Sequence, residues 1–109
     1  MAATKETVQL APAAATLSTL YTVPASTEIT SSSIIVCNRS ATATTFRIAL
    51  RLAGAAISNE MYIYYDLPIP GNETFVATIG IALTATDVVS VYATLATLSF
   101  NMSLDKRTI

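Results

Sequence analysis

The chain has no histidine, one cysteine and three glycines, and only 12% of its 109 residues are charged. Each shortage closes a class of function. Without histidine, a general base would have to be a carboxylate or a lysine. Structural zinc is excluded on composition, and the acids do not form the Asp-Xaa-Asp-Xaa-Asp run of a calcium loop, so no metal is expected. Cys37 has no cysteine to bridge to and no histidine to activate it, and its setting in Ile34-Ile35-Val36-Cys37 reads as that of a small core hydrophobe. Gly54, Gly71 and Gly80 are too scattered to build a phosphate cradle, so no nucleotide cofactor is expected either.

Charge is as informative in its distribution as in its scarcity. The net charge is −1, and the six basic residues form no run longer than Lys106-Arg107, which excludes an electrostatic footprint for nucleic acid. The first ten residues, MAATKETVQL, lack the apolar stretch of a secretion signal. From Val88 to Leu104 no charge occurs, but Ser90, Thr94, Thr97, Ser99, Asn101 and Ser103 interrupt the run at strand-like intervals, so it reads as sheet and not as a membrane span.

What is present is apolar. Hydrophobic residues make up 52% of the chain and the mean hydropathy is +0.55. A domain of this size hides only roughly 60–68% of the surface its unfolded chain exposes, so the excess calls for partners. The apolar residues recur with a period of two. Phe46, Ile48, Leu50 and Leu52 oppose Thr45, Arg47, Ala49 and Arg51; Leu98, Phe100, Met102 and Leu104 oppose Thr97, Ser99, Asn101 and Ser103. Similar patterns predict strands over Leu17 to Val23, Thr27 to Asn38, Met61 to Leu67, Phe75 to Leu83 and Val88 to Leu95, the last two forming an antiparallel meander with the Leu98 to Leu104 strand. Pro68-Ile69-Pro70-Gly71-Asn72-Glu73 is a loop, with Gly71 free to take a positive φ. Short strands at this spacing, without helical periodicity, predict a single all-β domain, an antiparallel β-sandwich of jelly-roll-like form over residues 17–109. Residues 1–16, charged at Lys5 and Glu6 and then alanine-rich, read as an extended N-terminal arm.

The candidates for function are correspondingly few. Asp66 and Glu73 could flank a loop as paired carboxylates do, but their spacing does not select catalysis, and the chain reads as a non-enzyme. Three glycosylation sequons, at Asn38, Asn72 and Asn101, are accidental in a chain so rich in Ser and Thr. Tyr62 and Tyr64 would project from one face if Met61, Ile63 and Tyr65 face the core, making a platform for a sugar or a protein partner, or an ordinary cross-strand pair. The arm supplies the other interface candidates: Lys5, Glu6, Val8 and Leu10.

The runs Leu20-Tyr21-Thr22-Val23-Pro24-Ala25, Ile34-Ile35-Val36-Cys37-Asn38-Arg39-Ser40, Tyr64-Tyr65-Asp66-Leu67-Pro68, Ile79-Gly80-Ile81-Ala82-Leu83 and Ala85-Thr86-Asp87-Val88-Val89-Ser90-Val91-Tyr92-Ala93 resemble those of small β-sandwich virion structural proteins of tailed bacteriophages, cyanophages among them. The resemblance covers most of residues 17–104. It implies a subunit made in the host cytoplasm and placed on the exterior of the particle, either decorating (cementing) the capsid or serving in the neck, tail or baseplate. Its partners would be like subunits in a homo-oligomer, a trimer being the form expected first, and major capsid or tail proteins. A glycan-binding adhesion module is the alternative reading.

Overall fold

The computed structural model describes residues 4–109. They form eight strands: β1 (Thr4–Leu10), β2 (Ser18–Thr22), β3 (Thr27–Asn38), β4 (Thr44–Arg51), β5 (Tyr62–Ile69), β6 (Thr74–Thr84), β7 (Val88–Ala93) and β8 (Leu98–Thr108). Two 3-10 turns, Leu52–Gly54 and Asn59–Met61, lie between β4 and β5. One sheet has the order β1-β8-β3-β6 and the other β2-β7-β4-β5. All pairs are antiparallel, and they nest: β1 with β8, β2 with β7, β3 with β6, β4 with β5. A long hairpin rolled up in this way is a jelly roll, an all-β sandwich that buries one face of each sheet against the other.

The nesting corrects the meander expected at the C-terminus, because consecutive strands there change sheets. β6 and β8 flank β3 in the first sheet, whereas β7 lies between β2 and β4 in the second. Burial along β7 shows why a half-exposed meander strand does not fit: Val88, Val89, Ser90, Val91 and Ala93 are all buried. The crossing from β6 to β7 is tight. Thr86 takes φ +71, and the buried Asp87 carboxylate accepts the amide hydrogens of Thr84 (2.9 Å) and Ala53 (2.7 Å). Two orphan backbone donors at a sheet corner are thereby satisfied.

The N-terminal segment, too, belongs to the sandwich. Its first three residues lie outside the described ones, but Thr4–Leu10 pairs with β8 along its whole length, from Thr4 opposite Lys106 to Leu10 opposite Phe100. Glu6, Val8 and Leu10 alternate with Lys5, Thr7 and Gln9, and the first set points inward. The segment is extended and lies along β8. Ala11 to Leu17 then carries the chain over to β2, held by the Ala15 amide on the Ala93 carbonyl (2.8 Å).

The core is built where the alternating patterns of both sheets meet. Phe46, Ile48, Ile34, Val36, Leu98, Phe100 and Met102 have no exposed surface. Phe46 sits at its aromatic centre, edge-on to Phe100 at 6.1 Å and tilted against Phe75 at 5.5 Å. Ile34 and Val36 enter this core while Ile35 lies half-buried on the outer surface beside Val76, so only one of the two faces of that apolar run is deeply covered. Cys37 shares that outer face, opposite Ser99 and Thr74 in register, and is half-buried, which corrects its reading as a core residue.

Two loops are stitched together by Asn38, which is buried. Its Nδ2 donates to the carbonyls of Thr42 (2.9 Å) and Pro70 (3.2 Å), and its Oδ1 accepts the amide hydrogen of Ser40 (3.1 Å). An asparagine so engaged cannot carry a glycan in the folded chain. Nearby, Gly71 is required for close approach and not for a positive φ, which falls on Asn72 (φ +57) instead. A Cβ on Gly71 would stand 2.1 Å from the Ala41 carbonyl oxygen.

Candidate functional site

A cluster of polar and aromatic groups stands on the outer face of the β2-β7-β4-β5 sheet, around Arg47. Alternation along β4 sends Phe46 and Ile48 into the core and Arg47 outward. On one side Arg47 is opposite Tyr92 of β7. On the other, β5 carries an extra residue. Phe46 pairs with Leu67 and Ile48 with Tyr64, so both Tyr65 and Asp66 stand opposite the single Arg47, with Asp66 at φ +51. Such a bulge re-aims side chains. Here it delivers a ring and a carboxylate to one guanidinium.

The resulting geometry is closed on itself. The guanidinium carbon lies 4.2 Å from the centre of the Tyr65 ring and 4.4 Å from that of Tyr92, a cation held between two rings. Its Nε donates to Asp66 Oδ1 at 2.6 Å and its Nη2 to Oδ2 at 3.3 Å. The hydrogen bond to the Asp66 carboxylate, with its charge, holds the Arg47 pKa above its ordinary value despite partial desolvation. Tyr62 completes the cluster, edge-on to Tyr65 at 4.9 Å and 86°.

The expected tyrosine pair is thus redistributed. Tyr62 faces outward, but Tyr64 turns inward, 5.4 Å from Phe75 and 6.3 Å from Phe46. Residues expected to face the core, Ile63 and Tyr65, are exposed. The cause is a second extra residue in β5: Ile48 pairs with Tyr64 and the adjacent Ala49 with Tyr62, which leaves Ile63 unmatched. Two insertions in one short strand defeat a period-two reading. No local signal gave them away, since strict alternation would place Tyr65 in the core and Tyr64 and Asp66 outside without conflict.

The N-terminal candidates separate in the same manner. Lys5 is exposed and pairs with Asp105 at 3.3 Å; Glu6 meets Lys106 at 3.0 Å; Val8 and Leu10 pack against the core. Glu6 and Lys106 also border Tyr21, whose pKa is raised by burial and then by the Glu6 charge. None of the four lies near the Arg47 cluster in sheet order, since β1 is the edge of the other sheet.

A shallow concavity of about 620 Å³ marks the outer face of the β1-β8-β3-β6 sheet. A register shift between Ser31 and Ser33 bends the strands there, and Thr7, Ser103, Ser33 and Thr78 line up in one row across all four. Hydroxyls dominate it, with Lys5 and Asp105 at one end. Among the described residues no group of three or more Cys, Asp or Glu could hold a metal ion, and no helix is long and apolar enough to cross a membrane. Asp66 is committed to Arg47, so it does not stand free as one of a carboxylate pair with Glu73. No family model matches the chain, and no curated protein matches it.

Proposed function

We propose that this chain is a non-enzymatic structural subunit of a tailed-phage virion, an exterior capsid decoration protein that stabilises the particle through protein–protein contacts. The observation that carries the reading is the strand order, β1-β8-β3-β6 against β2-β7-β4-β5, an architecture that viral capsid domains share with lectins and cupins. Fold alone does not assign function, so the reading draws its support from the surface chemistry. Cupin-like metal chemistry lacks ligands in the described residues. A lectin-like platform at Tyr62 and Tyr64 has lost one ring to the core, and the faces of Tyr65 and Tyr92 nearest the cluster are taken by Arg47. What remains is a sandwich whose outer faces carry Ser, Thr and Ala more than charge, suited to close contact with other subunits.

The role in the neck, tail or baseplate shares this chemistry and differs only in location. Purified particles test the reading directly. Mass spectrometry should find the chain in them at a stoichiometry comparable with the capsid or tail proteins, and antibody labelling should place it on the outer surface. Particles that lack the chain would overturn the proposal; label confined to the tail would move the subunit there.

A further inference from the structure

The sandwich has four edge strands, and three of them carry a charge, a proline or a short span that discourages pairing with another chain. β1 carries Lys5 and Glu6. β2 is five residues long and holds an extra residue against β7 between Thr19 and Tyr21. β5 contains Pro68, two extra residues and Asp66 at positive φ. Charge, shortness, bulges and proline are the usual means of blunting an edge. β6 has neither charge nor proline in eleven residues, TFVATIGIALT. β6 does hold one extra residue against β3, Ile79 and Gly80 standing opposite Ser32, but its faces alternate without interruption from Thr74 to Thr84, and the shift falls where β3 carries an extra residue against β8, so the bend runs across the sheet.

We infer that β6 pairs antiparallel with β6 of a second copy of this chain about a two-fold axis at Ile79, joining two four-stranded sheets into one of eight strands. The sequence of the strand argues for this occupant. About Ile79 the strand mirrors itself in character: Thr74 falls opposite Thr84, Phe75 opposite Leu83, Val76 opposite Ala82, Ala77 opposite Ile81, and Thr78 opposite Gly80. Directly opposed residues in an antiparallel pair share a face. Apolar side chains therefore meet apolar ones on the inner side, small ones meet on the outer, and no like charges are opposed. An isologous contact requires this self-complementarity. Phe75 and Ile79, which the monomer leaves half-buried at the margin of the core, would gain cover from the partner's Leu83 and Ile79. Gly80 adds no obstacle, since the space beyond its Cα is open. The inference goes beyond the virion reading and does not depend on it, and it replaces the expected trimer by a two-fold dimer.

The test exploits the register. Val76 and Ala82 are both exposed and, six residues apart on one strand, stand about 20 Å from each other within a chain. Across the two-fold they are direct neighbours. Analytical ultracentrifugation over a concentration series should show the wild type as a dimer. The double variant V76K/A82K, which opposes lysines at two places, should weaken dimerisation by about tenfold or more, because directly opposed like charges destabilise cross-strand pairs. V76K/A82E opposes lysine to glutamate instead and should dimerise as well as the wild type; circular dichroism checks that both variants fold. A monomeric or trimeric wild type, or equal loss in both variants, would overturn the pairing. A dimer missing from purified particles would leave the pairing standing and refute the virion proposal, and a monomer found on particles would do the converse.

Discussion

β5 and β6 are joined by one short loop and form the two edges along one side of the sandwich, yet they treat exposure in opposite ways. β5 spends its length on irregularity: two extra residues, a proline, and an aspartate in the left-handed region that serves Arg47. β6 holds a single extra residue, keeps its alternation and is uncharged throughout. The two strands nevertheless lean on the same core residue, since Tyr64 of β5 and Phe75 of β6 both pack on Phe46. One edge is therefore closed by its own side chains, and the other carries neither charge nor proline. An edge without charge or proline is open to the pairing inferred above, because such edges invite pairing with other chains.

Removing the shared support should produce the largest effect. Phe46→Ala deletes a fully buried ring that anchors both edges, and a cost of about 3–5 kcal/mol is expected, comparable with much of the roughly 5–15 kcal/mol stability of a small domain. Urea unfolding followed by circular dichroism measures it. A loss below about 1 kcal/mol would mean that Tyr64 and Phe75 do not depend on Phe46 and that the two edges are independent.

The loop between the edges gives the next largest effect. Gly71→Ala places a methyl group 2.1 Å from the Ala41 carbonyl oxygen, backbone that cannot swing aside, so a loss of about 1–3 kcal/mol is expected. Gly80→Ala on β6 meets nothing within 4 Å and should instead stabilise the monomer by roughly 0.5–1 kcal/mol, since alanine has less backbone freedom to lose. Thermal midpoints moving in opposite directions would sharpen the contrast; a destabilised Gly80→Ala would show that the bend in β6 depends on glycine.

Much of the fold was legible because burial follows period two where strands are regular. β3 coincides with the Thr27 to Asn38 segment, and the inward sets of β4 and β8 are those the alternation assigns, apart from Leu52, which falls in a 3-10 turn and is exposed. The pairing order was not legible. Which strands share a sheet depends on corners such as Asp87, whose carboxylate caps amides 3 and 34 residues away, and no local pattern announces that. The N-terminal strand escaped for another reason. Lys5 and Glu6 look solvated in sequence, and only the Asp105 and Lys106 partners at the far end of the chain show that they stand in a ladder. The Arg47 cluster was hidden by the two extra residues of β5, which exchange Tyr64 for Tyr65 on the outer face.

That cluster can be broken without touching the core, and the effect should be smaller. Arg47→Ala removes a partly exposed ion pair and two ring contacts, together worth about 1–2 kcal/mol. Arg47→Lys should recover only part of this, because an ammonium does not reproduce the two-pronged contact with Asp66 or stack flat between rings. Near-ultraviolet circular dichroism of the tyrosines reports whether Tyr65 and Tyr92 lose their fixed orientation. Unfolding that leaves both variants equal to the wild type would make the bulge of β5 an edge device alone.

The smallest effect lies on the opposite side of the sandwich, where β1 and β2 meet at Tyr21, Glu6 and Lys106. Burial, and then the Glu6 charge, raise the Tyr21 pKa above its usual 10.0, and the Glu6 carboxylate raises that of Lys106. In both cases the folded state holds the proton more tightly than the unfolded one. Stability from these groups is therefore complete below about pH 10 and declines as the pH rises further, since the unfolded chain then binds fewer protons. Tyr21→Phe removes one of the two groups and should flatten the fall in stability above pH 10 while leaving the neutral-pH value nearly unchanged. Glu6→Gln should flatten it as well, by removing the charge that acts on both. An alkaline profile unaltered in both variants would show that the side where β1 and β2 meet is closed by packing and not by charge.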